Sequence, residues 1–179
     1  MAGREWENSR TVANREGYEE SGWGSADADD RDGWLRRASA MSKVRITAGP
    51  FVFVAKWETV AAPATCRKFS SMLPFKNKVI HSRWSGEAVW IPLGEMDTGL
   101  PFENHTSHGS RGDFLFYPGG FSETEILFVY GSSRFASKMG QLAGNHFLTM
   151  EDGHDDLEAF GKLVLWQGAQ DILFEPMPD

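Results

Sequence analysis

A chain of 179 residues, 41% of them hydrophobic, holds enough apolar material for the core of one domain plus an appendage. Its net charge of −7 and the lack of any Lys/Arg cluster stronger than Arg36–Arg37 argue against nucleic acid as a partner, since phosphate binding needs a basic patch. No apolar run nears the roughly 20 residues of a bilayer span, and a lone Cys66 excludes an internal disulfide framework or a multi-cysteine zinc site.

The opening MAGREWENSR lacks the apolar stretch of a secretory signal, so a cytoplasmic protein with no membrane partner is expected. The first 40 residues carry nine acids and six arginines but no lysine, and they are nearly devoid of aliphatic side chains. Such a composition cannot offset its ordering entropy, which predicts a disordered extension over 1–40 and a folded domain over 41–179. Trp6, Trp23 and Trp34 are the only large anchors in that extension.

From Met41 the pattern changes. KVRITAG places Val44 and Ile46 on one face of a strand, and FVFVAKW (Phe51 to Trp57) reads as a second, more fully buried strand after a Gly49-Pro50 turn. APATCRKFSSML predicts a helix with Pro63 in its first turn, a stripe of Cys66, Phe69 and Leu73, and a stop at Pro74. KVIHSRWSG and EAVWIPL are strand-like and bent at Ser85-Gly86, and a polar loop runs from Gly94 to Gly112. DFLFY, a Pro-Gly-Gly turn and a strand over Glu125 to Tyr130 follow, then a Gly-rich connection and the strand NHFLTM. DDLEAFGKLVLWQG is a second helix, with Leu157, Phe160 and Val164 on one side and Gly168 past its end, and AQDILFEP is the last strand. Seven or eight strands with one early and one late helix predict a mainly β fold, a barrel capped by helices.

Several phrases carry a family resemblance. APATCRKF (62–69) resembles the helix entry of cyclophilins, and IHSR (80–83) their strand with His-Arg. HSRWSGEAVW, GDFLFYPGG, ILFVYGSSRF and GNHF resemble a bacterial domain of unknown function (number 3830) within the cyclophilin-like superfamily, over about Val44 to Pro176. The resemblance implies a closed eight-stranded barrel with two capping helices. It also makes Arg83 the nearest match to the arginine that assists proline isomerisation in cyclophilins. Those enzymes carry Phe-Met and Gln five, six and eight residues further on, where this chain has Ala88, Val89 and Ile91. The proline-binding shelf and its glutamine donor are therefore missing locally.

The candidate site centres on IHSRWSGEAVWIP. As an alternating strand it would send His81, Arg83 and Ser85 one way and Ile80, Ser82 and Trp84 the other. Structurally, Arg83 pairs with Glu87 across the bend. Functionally, Arg83 clamps an anion or carbonyl beside Trp84, since guanidinium suits bidentate recognition and aromatic walls with few polar groups typify ligand pockets. Tyr117 near the Pro-Gly-Gly turn, and Asn145 and His146 in GNHF, are further ligand-binding candidates. The expected partner is a small anionic or amide-bearing molecule or a short peptide. The alternative is a degenerate prolyl isomerase or another enzyme using His81, Glu87 or His146 as acid–base groups, and no catalytic residue is assigned. No cofactor is expected. His105 and His108 sit in a loop and His154 lies among acids better explained by the following helix, so no metal site is expected. Cys66 on the apolar stripe reads as a buried inert thiol. A homodimer through Trp166 or Trp90 is the remaining partner reading, with core packing the simpler account of those rings.

Overall fold

The computed structural model describes residues 42–177, so the expected extension over 1–40 lies outside the described residues. Nine segments pair in the order β2-β1-β11-β3-β4-β7-β6-β10-β5, and β2 also pairs with β10. That last pairing closes eight strands into an antiparallel barrel. In chain order these are β1 (Lys43–Ala48), β2 (Phe51–Trp57), β3 (Phe75–His81), β4 (Gly86–Gly94), β6 (Asp113–Tyr117), β7 (Thr124–Ser133), β10 (Gly144–Asp152) and β11 (Gln170–Met177). Three two-residue strands lie outside the closed ring: β5 (His105–Thr106) on the edge of β10, and the paired β8 (Ala136–Ser137) and β9 (Gly140–Gln141).

Alternation decides which side chains fill the barrel. Val44, Ile46 and Ala48 of β1, Phe53 and Ala55 of β2, Val89 and Ile91 of β4, and Ile126 and Phe128 of β7 all point inward and are fully buried. In β2 the alternation is cleaner than its apolar run suggested: Val52 is exposed, because only one face of a barrel strand meets the core. Aromatic rings dominate the interior, with Phe114 and Phe128 stacked at 4.0 Å between centroids.

Helix α1 (Pro63–Ser70) caps the barrel near Trp57, at the far end of β2 from Phe51. Its Phe69 meets Phe147 and Phe174 edge-on at 5.1 and 5.2 Å. The helix ends at Ser70, so Leu73 packs from the following turn rather than from the helical stripe. Helix α2 (Leu157–Gln167), entered through the 3-10 turn His154–Asp156, caps the end where β2 begins, with Phe160 against Phe51 and Phe53. It comes very close to β7, because Gly161 lies flat on the ring of Tyr130 where any Cβ would collide.

A second apolar cluster lies outside the barrel. Ala88, Leu115, Tyr117, Leu127 and Val129 face outward from β4, β6 and β7. Phe135 and Leu142, from the segment bearing β8 and β9, cover them, and Trp90 packs at the margin. This cover leaves part of the outer face of β4 and β7 open, and the candidate site lies there. No helix among the described residues is long and apolar enough to cross a membrane.

Candidate functional site

Strand β3 ends at His81, which revises the alternation expected through Ser85. Residues 82–85 form a turn held from behind. Ser82 N donates to Ala88 O at 3.0 Å, and Ser85 N donates to Ser82 Oγ at 3.0 Å. The Ser85 hydroxyl donates to Ala136 O and accepts from Ala136 N, both at 3.0 Å. Ser133 Oγ and Arg134 N both donate to Ser85 O. At Gly86, φ is +79° and a Cβ would sit 2.7 Å from Ser132 O, so the chain can leave the turn only through glycine. With both serines buried, Arg83 and Trp84 are pushed outward, and the Trp84 ring is 60% exposed.

Beside this turn lies a groove of about 600 Å³. Trp90 and Glu125, from the outer faces of β4 and β7, line it together with Ile80, His81, Arg83 and Trp84 of the β3–β4 turn region. Ala136 and Ser137 contribute from β8, Lys138 from the turn after it, Val164 and Leu165 from α2, and Ser122 and Glu123 from the approach to β7. Among the described residues Arg83 has neither a hydrogen bond nor an ion pair.

Of the residues expected to form one site, the structure brings His81, Arg83 and Trp84 together. His81 is already satisfied: Nδ1 lies 2.8 Å from Ser82 O and Nε2 lies 2.7 Å from the Tyr130 hydroxyl. A carbonyl only accepts, so the proton sits on Nδ1 and Nε2 accepts from the tyrosine. Burial, and then the charge of Glu87, raise the pKa of Tyr130, which keeps that hydroxyl a donor.

The other four stand elsewhere. Glu87 does not pair with Arg83; its Oε2 accepts from Ser132 N at 2.6 Å. Tyr117 is buried in the outer cluster and lines a different depression, of about 400 Å³, with Phe102, His105 and Phe121. Asn145 is fully buried and ties the long loop to α1: its amide donates to Thr65 Oγ1 and Pro101 O, each at 2.9 Å, and its Oδ1 accepts from Glu103 N at 3.0 Å. The Nε2 of His146 lies 3.2 Å from Asp113 Oδ1 and 2.9 Å from Thr149 Oγ1. Burial lowers the pKa of His146, but the hydrogen bond and charge of Asp113, with Glu58 adding, leave it raised. Cys66 Sγ donates to Phe147 O at 3.4 Å, and burial, followed by the charge of Glu103, pushes its thiol up to about 12.

Sequence reasoning missed Glu125. It is only 7% exposed, and its side chain has no hydrogen bond or ion pair among the described residues. Burial, aided by the charge of Glu123, pushes its carboxyl up to about 8, so it is mostly protonated at neutral pH. The available signal was phase: Glu125 precedes Leu127 and Val129 at a spacing of two, an acid on a strand face that is otherwise apolar and buried.

The family model described as protein of unknown function (DUF3830) matches residues 44–175. The chain belongs to that family. No curated protein matches it. Among solved structures, McbB in complex with tryptophan is similar at a TM-score of 0.58 and 11% identity, over 76% of this chain and 45% of McbB. The hypothetical protein AF2241 from Archaeoglobus fulgidus is similar at a TM-score of 0.51 and 15% identity, over 77% of this chain and 96% of that one. Both are cyclophilin-like barrels, and at these identities the shared property is the fold. At the positions where the cyclophilin pattern has Phe, Met and Gln, Ala88 is buried under the outer cluster and Val89 and Ile91 point into the barrel. They offer neither an exposed shelf nor an amide donor.

Proposed function

We propose that this barrel is a binding module for a small molecule with a flat apolar body and an anionic or amide group, held in the groove beside Arg83 and Trp84. The observation that carries this reading is Arg83, a guanidinium without a partner among the described residues, at a groove also lined by Trp84 and Trp90. A fixed cation next to flat apolar walls supplies both parts of such recognition: bidentate donation to a carboxylate or carbonyl, and ring contact with the body. McbB was solved in complex with tryptophan, which is compatible with a ligand on this fold but assigns no residue here. Ile80, Val164 and Leu165 extend the apolar wall, and Lys138 adds a second cation.

Ligand-dependent thermal shifts across a metabolite library test the proposal, since a ligand at 100 times its Kd stabilises the native state by about 2.7 kcal/mol. Acids with a planar apolar group are expected to raise the midpoint of the wild type but not of Arg83→Ala. Shifts of equal size in both proteins would contradict the clamp.

A further inference from the structure

We infer that the groove holds a second charged subsite, in which Glu125 serves as counter-ion to a protonated amine, so that the preferred ligands carry an amino group as well as the acid. The inference rests on the groove being a ligand site, and it adds a recognition element that Arg83 does not supply.

Glu125 is more than nine-tenths buried and lines the groove, and its carboxyl has no hydrogen-bond or ion-pair partner among the described residues. Its carboxyl oxygens are not sealed within the fold: they open onto the groove, where a donor from outside the fold can complete them. Its neighbours narrow what that donor is. Glu123 adds a second carboxylate from the same segment, which attracts a cation and repels another anion. The other titratable groups around the groove are His81, Arg83 and Lys138, with Tyr117 across from Glu125 on β6. Neither Arg83 nor Lys138 pairs with Glu125, and the ring nitrogens of His81 are bonded elsewhere. Two carboxylates without a third converging ligand are too few for a structural metal site, which takes three or four. An ammonium, by contrast, needs one carboxylate and a polar rim. An ammonium for Glu125 and an anionic group for Arg83, in a groove also lined by Trp90, describe a zwitterion with an apolar body.

Protons give this pairing a signature. The carboxyl is mostly protonated before binding, whereas beside an ammonium it favours the ionised form. Binding therefore releases a proton from Glu125 to solvent, while the amine keeps its own.

The test is titration calorimetry of the full chain at pH 7, in buffers of different ionisation enthalpy, with tryptamine, indole-3-propionate and tryptophan as probes. Both amine-bearing probes are expected to bind and to release close to one proton. In Glu125→Gln, tryptamine should weaken at least about tenfold and the release disappear. Indole-3-propionate should depend on Arg83 and be indifferent to Glu125→Gln. Carbon-13 NMR of the wild-type Glu125 carboxyl gives an independent reading, with tryptamine expected to move it to its ionised shift. Unchanged tryptamine binding in Glu125→Gln, or a Glu125 that stays protonated with amine bound, would overturn the inference while leaving the Arg83 site intact. Loss of the Arg83 dependence of indole-3-propionate, or no binding by any probe at millimolar concentration, would remove the binding reading itself.

Discussion

Glu125 and Arg83 are opposite cases of one residue-scale rule, that a charged group without a partner costs most where water is scarce. Arg83 stands at the rim and remains hydrated, whereas Glu125 is buried and holds its proton. The sign of the linkage follows. The carboxyl has its ordinary value near 4.5 when unfolded and about 8 when folded, so the native state binds more protons in that window. Stability therefore falls as pH rises from 4.5 to 8, and the penalty is constant above it. At about 1.4 kcal/mol per pH unit of displacement, the loss amounts to several kcal/mol. Glu125→Gln is expected to unfold at a higher urea concentration than the wild type at pH 9 and at the same concentration at pH 4. A wild-type excess at pH 9 would show that the carboxylate is paired after all. Arg83 was legible in the sequence because a lone Arg between apolar residues stands out. Glu125 was harder to read: its phase with Leu127 and Val129 marks the face, but the groove around it is built with Ala136–Lys138 and α2, more than ten residues away in the chain.

At the scale of elements, the β3–β4 turn shows where periodicity stops being informative. IHSRWSG alternates like a strand, yet pairing ends at His81 because Ser82 and Ser85 take over the backbone bonds that a partner strand would have filled. Alternation cannot reveal such a substitution, because serine fits either pattern. The helices were easier to read: Pro63 opens one and Gly168, at φ +85°, ends the other, each through a local backbone preference. Asn145 and His146 were read as ligand-binding candidates, but β10 pairs with β5 and β6 there and both side chains take structural partners. Because Ser85 Oγ makes two bonds to Ala136, Ser85→Ala should lower stability by about 1–3 kcal/mol in urea unfolding and broaden the backbone amide signals of Arg83 and Trp84. A stable variant with sharp signals would mean that the turn is held by its backbone alone.

At the scale of the whole molecule, the candidate groove lies on the wall of the barrel rather than in its lumen. Stacked and edge-on phenylalanines pack the interior, and the two helices cap its ends. The outer face of β4 and β7 is only partly covered, by the β8–β9 segment on one side and α2 on the other, and the gap between those covers is the groove. The barrel class was legible from the order of strands and helices, since each half-buried strand declares its inward face. The gap was not, because it depends on how two distant segments fall short of one another. Two-dimensional NMR of the tryptophan indole N–H signals during titration with indole-3-propionate tests the groove most directly. The signals of Trp84 and Trp90 should move saturably in the wild type and stay fixed in Arg83→Ala. That of Trp166, which is 78% exposed on α2 but does not line the groove, should stay fixed in both. Immobile Trp84 and Trp90 signals in the wild type, or equal movement in Arg83→Ala, would contradict an Arg83-centred binding site.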